Sequence, residues 1–275
     1  MAEPRPASAA ANSLRLVVSL WTVVSSLTAP FDHRAAPAHQ PYTPTVADEM
    51  LIVTQVAPYV DGPAGVHGTL AQAKSALSEL AELEGLEPIL VDDVRDLPPG
   101  HLSAARVLAL FTIGETPWTD AQKEAAHHAW AHGQLRVLGV HSATDANHTW
   151  PEYGTMLGAR FDGHPWTQQF AIDVVDSHHP ATAHLGEQWD WRDEVYLFKQ
   201  LRPDARVLLR LADGQVDLSV PEGRVPDCGF PLAWCVEDGA ARSFYTALGH
   251  FHLAWELPVY LRHLAGGLAW LGSST

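Results

Sequence analysis

The sequence predicts an α/β fold with a mostly parallel central sheet and helices on both faces. From Met50 onward, short apolar runs rich in β-branched residues alternate with amphipathic segments, which is typical of parallel strands joined by crossover helices. One apolar run, residues 135–140, ends directly at His141. Ligands of open α/β sheets bind beyond the carboxyl ends of the strands, so this run predicts a strand that presents a histidine at a binding edge.

The individual elements follow from local signals. Thr69-Leu70-Ala71-Gln72 is interpreted as a capping box that starts a helix ending at Gly85. Thr119 or Asp120 caps the next helix, which ends at Gly133. Pro151 starts a short helix, and the last helix covers residues 257–271. Strands are predicted at residues 50–55, 87–91, 106–111, 135–140, 170–175, 195–198, 206–211, 231–236 and 242–248.

Composition limits the classes of partner. The chain has 275 residues, of which 47% are hydrophobic, and 32 acidic against 17 basic residues give a formal charge of -15. This charge repels phosphate backbones and anionic lipid headgroups, so neither a nucleic-acid partner nor a membrane partner, beyond a possible N-terminal segment, is expected. The only two cysteines, Cys228 and Cys235, match no metal motif. We expect them to be reduced, with a single bridge between them as the alternative.

Residues 1–49 differ from the rest because Ala, Pro and Ser dominate them. They are interpreted as a poorly structured extension or a signal-like segment, and residues 50–275 as one domain. The apolar patch at residues 14–27 is shorter than the roughly 20 residues that cross a bilayer. The expected location is the cytoplasm, with export as the alternative if this patch acts as a signal segment.

Three histidines follow glycine-containing turns, and an acidic pair lies between the second and the third. His141, His164 and His250 are the histidines, and Asp193-Glu194 is the pair. A lone histidine is more often structural than functional, but several at the loop tips of one sheet edge favour a site. Asp193 is interpreted as the solvated neighbour of Glu194.

Five separated motifs follow one another along the chain. They are Gly139-Val140-His141-Ser142-Ala143-Thr144-Asp145, Phe161-Asp162-Gly163-His164-Pro165, His179-Pro180-Ala181-Thr182, Asp193-Glu194-Val195-Tyr196 and Phe244-Tyr245-Thr246-Ala247-Leu248-Gly249-His250. In order and spacing they resemble the trehalose-utilisation (ThuA-like) family, over about residues 50–272. The resemblance implies a flavodoxin-like three-layer sandwich related to class I glutamine amidotransferases, and a role in the catabolism of trehalose or a related carbohydrate, including a 3-keto-sugar.

The resemblance also excludes one reaction. In the wider superfamily the turn after this strand carries a nucleophilic cysteine, and here His141 occupies that position. An imidazole cannot form the thioester that glutamine hydrolysis requires. The chain is therefore not expected to be a cysteine-dependent glutaminase.

Four residues are the predicted catalytic group. His141 is the first choice for a general base or metal ligand, His164 matches the family motif, Glu194 is a general acid, base or oxygen ligand, and His250 completes the group. Three histidines and a carboxylate suit a divalent metal such as zinc, with His141, His164 and His250 as candidate ligands.

Four further residues are predicted to contact substrate. His67 matches a family position at the end of a rearranged loop, and Asp145 either orients His141, binds a sugar hydroxyl or caps the following helix. Trp150 and Tyr196 lie near predicted loop ends, where aromatic rings stack on sugars. Packing against the sheet edge is the alternative for both rings.

The residues do not choose among hydrolase, isomerase and lyase, because each reaction needs a positioned acid and base. The ligand is expected to be a small carbohydrate, and a homo-oligomer is compatible with the sequence. One alternative is a non-catalytic sugar-binding or partner protein that assists a separate oxidoreductase. Another is a metal-dependent hydrolase of a non-sugar ester or amide, which rests on fold analogy alone.

Overall fold

The computed structural model describes residues 48–57 and 68–273. Predictions about residues 1–47, including the patch at 14–27, and about His67 lie outside these ranges. Within them the chain forms eleven strands, namely β1 (Glu49–Val53), β2 (Glu87–Val91), β3 (Val107–Leu110), β4 (Arg136–Val140), β5 (Arg160–Phe161), β6 (Trp166–Val174), β7 (Gln188–Val195), β8 (Phe198–Lys199), β9 (Arg206–Leu211), β10 (Pro231–Asp238) and β11 (Ala241–Thr246).

The sheet has a parallel half and an antiparallel half. Nine of the described strands are arranged in the order β2-β1-β3-β4-β11-β10-β9-β6-β7, and β5 pairs separately with β8. Strands β2, β1, β3, β4 and β11 are mutually parallel. With β11 as the fifth strand, this is the 2-1-3-4-5 order of flavodoxin-like folds. The predicted α/β class and its parallel core are confirmed.

Helices cover both faces of the parallel half. They are α1 (Leu70–Leu83), α2 (Pro99–Ala104), α3 (Asp120–Ala131), α4 (Pro151–Leu157) and α5 (Pro258–Gly272), with 3₁₀ turns at Val94–Asp96, His141–Asp145 and His252–Glu256. Tyr245 and Leu157 of α4 approach Gly139 on one face, whereas Phe244 approaches Gly267 of α5 on the other. Because Phe244 and Tyr245 are consecutive in β11, α4 and α5 lie on opposite faces, as a three-layer sandwich requires.

The antiparallel half folds back over α5. Strands β10, β9, β6 and β7 pair antiparallel in turn from β11 outward. In β7 the buried residues Trp189, Trp191 and Asp193 alternate with exposed ones, so one side of the strand faces the protein. The Trp191 ring stacks on Tyr260 of α5 at 5.6 Å, and Trp189 lies 6.0 Å from His263. The β6–β7 hairpin therefore covers the helix.

Two local predictions are wrong. Thr69 makes no side-chain cap hydrogen bond and has helical backbone angles, φ -98° and ψ -3°, whereas a capping residue needs an extended backbone. Thr119, by contrast, is extended and forms a complete capping box with Gln122, which confirms the cap predicted for α3. The strand predicted at residues 195–198 is also wrong, because β7 ends at Val195 and β8 begins at Phe198.

Neither a membrane helix nor a disulfide is present in the described part of the chain. No helix there combines the length and the apolar composition needed to cross a bilayer. Cys228 and Cys235 are free thiols, the first half-buried and the second buried. The alternative of a bridge between them is wrong.

Candidate functional site

His141 lies at the carboxyl end of β4, in a strained turn. Its backbone has a positive φ of 48°, which is uncommon for a residue other than glycine and marks a sharp change of direction. Its side chain is fully buried, and its Nδ1–H donates to the Ala247 carbonyl at 2.8 Å. In the neutral ring this bond places the proton on Nδ1 and the lone pair on Nε2.

His250 reaches the same edge from β11, which is parallel to β4. The preceding Gly249 has φ +119°, and a Cβ added there would lie 2.4 Å from the Tyr260 hydroxyl. Glycine therefore permits both the turn and the close packing. His250 Nδ1 lies 3.3 Å from His141 Nε2. The two parallel strands bring these two histidines together because their carboxyl ends share one edge.

Glu194 enters the same space from the antiparallel half. Its Oε2 lies 3.5 Å from His141 Nε2 and 3.4 Å from His250 Nδ1. Its other oxygen, Oε1, lies 3.6 Å from His164 Nδ1. The structure therefore assembles the four predicted residues into one group, which we call the His–Glu cluster: His141, His164, Glu194 and His250.

Asp193 is not the solvated neighbour that the sequence indicated. It is fully buried and accepts hydrogen bonds from the backbone N–H of Glu194 at 2.9 Å, of Gly249 at 2.8 Å and of His250 at 3.3 Å. A fourth donor, Trp191 Nε1, lies at 3.0 Å. Asp193 thus ties β7 to the loop that carries His250. The signal for this role is the alternation of Trp189, Trp191 and Asp193 on the buried side of β7.

Burial controls the protonation of the cluster. It raises the pKa of Glu194 to about 7, and the adjacent Asp193 charge acts in the same direction. It also raises the pKa of Asp193 to about 6, against the four N–H donors. Burial lowers the pKa of both His164 and His250. Near neutral pH the site therefore combines neutral imidazoles at His164 and His250 with a carboxyl group that can give or take a proton.

Tyr196 joins the cluster through its hydroxyl. The buried hydroxyl donates to His141 Nε2 at 2.9 Å, and the two rings are 4.7 Å apart. Its aromatic ring also packs against Phe161 at 4.6 Å. Tyr196 therefore makes a hydrogen bond to His141 and an edge-to-face contact with Phe161.

Two other predicted substrate contacts have partners elsewhere. Asp145 ends the 3₁₀ turn that begins at His141, and its Oδ1 bonds His148 Nε2 at 3.0 Å. Trp150 is buried against Trp118 at 5.7 Å and Tyr153 at 5.3 Å. Their substrate-binding roles stay predictions, as do the catalytic roles of the cluster.

The loop that carries His164 is anchored beside a polar cavity of about 570 Å³. Asp162, two residues before His164, accepts from Lys199 Nζ at 3.0 Å and pairs with Arg224. Lys199, Arg224 and Cys228 all line this cavity. The two ion pairs hold the loop near the mouth of the cluster.

Several solved structures share the fold. A ThuA-like protein from Bacteroides uniformis is 19% identical over 86% of this chain and 95% of that chain, with a TM-score of 0.66. A ThuA-like protein from Parabacteroides merdae is 17% identical over 83% and 91%, with a TM-score of 0.61. A β-galactosidase from Bacillus circulans sp. alkalophilus is 13% identical over 82% of this chain but only 31% of its own, with a TM-score of 0.50.

No curated protein matches the chain. The family model described as ThuA, trehalose utilisation, matches residues 59–271, which include all four residues of the His–Glu cluster. This range covers most of the chain. The chain belongs to the ThuA trehalose-utilisation family.

Proposed function

We propose that the chain is an enzyme that transfers protons on a carbohydrate derivative at the His–Glu cluster. The substrate class is trehalose or a related sugar, including one oxidised to a 3-keto form. The observation that carries the proposal is the convergence of three histidines and a glutamate from separate parts of the chain on the carboxyl edge of the sheet.

The members of the cluster are suited to different steps. His164 has a side chain that is 44% exposed, so it can meet a substrate at the mouth. His141 is fully buried, and its fixed tautomer presents the Nε2 lone pair to Glu194 and His250. Glu194 lies between the exposed and the buried imidazoles. A proton taken from substrate at His164 can therefore pass through the carboxyl group.

A 3-keto-sugar suits such a site because its carbonyl makes the neighbouring C–H acidic. A base removes that proton to form an enediolate, and an acid then protonates either another carbon or a leaving oxygen. Isomerisation and elimination share the first step. Family membership supports a sugar substrate, and the geometry supports acid–base chemistry that does not use a thiol.

Deuterium exchange tests the proposal whatever product the reaction forms. The protein is incubated with the 3-keto derivative of trehalose in D₂O, and deuterium next to the carbonyl is followed by NMR. We expect exchange and product formation, and a loss of about 10²-fold or more in His141→Asn. His132→Ala, which removes an exposed histidine just after α3, is the matched control and keeps full activity.

The alternative is a non-catalytic binder of the same sugar. Binding by calorimetry with neither exchange nor turnover, for both trehalose and its keto derivative, would contradict the enzyme proposal. In that case His141→Asn weakens binding without any turnover to lose. A thermal unfolding curve for each variant confirms that the fold is retained.

A further inference from the structure

We propose that His141, Glu194 and His250 bind one divalent metal ion of the zinc class. This site deepens the proposed function by naming its cofactor, and it rests on that function only for the chemical role of the ion. Metal binding itself follows from the arrangement of three donor atoms. These atoms are His141 Nε2, His250 Nδ1 and Glu194 Oε2.

The three donor atoms form a nearly equilateral triangle. Its sides are 3.3 Å between the two imidazole nitrogens, 3.5 Å from His141 to Glu194 and 3.4 Å from His250 to Glu194. Metal bonds of 2.0–2.1 Å give a tetrahedral edge of about 3.3–3.4 Å. The same bonds in an octahedron give an edge of about 2.8–3.0 Å. The triangle therefore matches one face of a tetrahedron.

The donor types agree with this geometry. Two imidazoles and one carboxylate suit zinc and similar transition metals. Mg²⁺ and Ca²⁺ prefer oxygen donors throughout. The separations of 3.3–3.5 Å also exceed the usual hydrogen-bond length of about 2.7–3.2 Å, so these contacts are poor hydrogen bonds but suitable spacings for donors that share an ion.

Hydrogen bonds outside the donor triangle fix the positions of the three proposed ligands. The Nδ1–H of His141 donates to the Ala247 carbonyl, which fixes Nε2 as the ligand atom. The backbone N–H groups of Glu194 and His250 both donate to Asp193 Oδ1. The Ala247 carbonyl is thus an outer partner of the kind that orients a metal-binding imidazole, whereas Asp193 fixes the backbone positions of the other two ligands. The site is thus built before an ion arrives.

The hydroxyl of Tyr196 can change its hydrogen-bond acceptor when an ion binds. Its hydroxyl donates to His141 Nε2 at 2.9 Å, and an imidazole nitrogen has a single lone pair. The same hydroxyl is within hydrogen-bonding reach of Glu194. When an ion takes the Nε2 lone pair, the hydroxyl turns to the carboxylate, so no buried donor is left without an acceptor.

His164 is the most exposed member of the cluster and lies next to Glu194, one of the three donors. The Nδ1 of His164 faces the second oxygen of Glu194 at 3.6 Å, and its side chain is 44% exposed. Three protein ligands with a fourth position open to water or substrate are typical of catalytic rather than structural zinc. A bound ion would polarise a sugar carbonyl or activate a water molecule.

The experiment titrates Zn²⁺ into chelator-treated protein that carries no polyhistidine tag. His128 and His132, four residues apart with rings separated by 4.1 Å, form a competing surface pair. All measurements therefore use a His128→Ala, His132→Ala background. We expect this background to bind one Zn²⁺ per chain by calorimetry and by metal analysis.

Two substitutions then test the assignment. His250→Ala and Glu194→Gln should each weaken Zn²⁺ binding by about a hundredfold or more, and His164→Ala should weaken it far less. Circular dichroism confirms folding of both ligand variants. Loss of zinc in the surface-pair background itself, or unchanged affinity in both ligand variants, would overturn the site.

The outcome also separates the two proposals. Zinc binding at the cluster without any exchange on the keto-sugar would leave the metal site standing and overturn the proposed function. Undiminished exchange by protein from which zinc has been removed would overturn the chemical role of the ion and leave the acid–base function standing, whereas the binding site itself is tested by the titrations.

Discussion

The parallel and antiparallel halves of the sheet contribute to the cluster in different ways. His141 and His250 follow β4 and β11, two adjacent parallel strands whose carboxyl ends necessarily meet at one edge. Glu194 lies on β7, the edge strand of the sheet, four positions from β11 in the strand order. It reaches the histidines only because the β6–β7 hairpin folds over α5. Strand topology therefore places one part of the site, and packing places the other.

Helix α5 packs against both halves of the sheet and connects them. The ring of His263 lies 5.4 Å from Phe244 of β11 and 6.0 Å from Trp189 of β7. Trp191 stacks on Tyr260 one turn earlier in the helix. Changes at the buried contacts of β7 should therefore alter both stability and the position of Glu194, whereas changes at the functional groups of the His–Glu cluster should act mainly on chemistry.

The largest expected effect is a loss of catalysis when the carboxyl group of Glu194, on the antiparallel half, is replaced. Glu194→Gln keeps the shape of the side chain but removes its ability to exchange a proton. We expect kcat to fall by about 10²–10⁴-fold while the free energy of unfolding changes little. Steady-state kinetics and urea unfolding check this, and an active Glu194→Gln protein would show that the parallel half suffices.

The next largest effect is expected when the hydrogen bonds between Asp193 and the loop that carries His250 are disrupted. Asp193→Asn replaces one acceptor oxygen by an NH₂ group that faces backbone N–H donors, so buried donors lose their partner. We expect the free energy of unfolding to fall by roughly 2–4 kcal/mol. Asp190→Asn, on the exposed side of the same strand, is the control and should change it by less than about 0.5 kcal/mol. Equal effects of the two substitutions would contradict the anchoring role.

The pH dependence of stability tests the burial of His263 on α5, between the two halves of the sheet. Burial lowers the pKa of His263 to about 3, with His184 and His179 acting in the same direction. The unfolded chain, with a histidine pKa of about 6.5, therefore takes up this proton first as the pH falls. The contribution of His263 to the free energy of unfolding is therefore fully present above pH 6.5 and decreases below it. Between pH 7 and pH 5 the free energy of unfolding should fall by about 2 kcal/mol.

Urea unfolding of the wild type and of His263→Gln at these two pH values measures that contribution. The variant should lose about 2 kcal/mol less than the wild type over the interval. Parallel losses in both proteins would show that His263 does not titrate as its burial requires.

The smallest effect is expected from the thiols of the antiparallel half. Burial raises the pKa of Cys235 to about 11 and also raises that of Cys228, so both are poor nucleophiles. Cys228→Ser should leave kcat unchanged, and iodoacetamide treatment of the wild type should leave it unchanged as well. Loss of activity in both tests would revive a thiol mechanism.

The parallel half is the part that the sequence predicts well. Its strands are short apolar runs, and a strand that ends in Gly-Val-His already indicates a functional edge. The antiparallel half is harder because its position depends on contacts between distant residues, such as Trp191 with Tyr260. Local patterns contain no information about that packing.

The same limit explains the misinterpretation of Asp193. Carboxylates are mostly solvated, so composition favours exposure. Only the four N–H donors that meet in the folded protein offset the cost of its burial. The identity of the four cluster residues came from motif resemblance, whereas the 3.3–3.6 Å distances among them required the tertiary structure.

The bond between His141 and Ala247 spans 106 residues of the chain. Long-range contacts of this kind form late, because a large loop must close before they add stability. Until β11 has paired with β4, neither the acceptor that sets the tautomer of His141 nor His250 is in place. During refolding, activity should therefore return only after β11 has paired with β4, so recovery of activity reports the closure of this 106-residue contact.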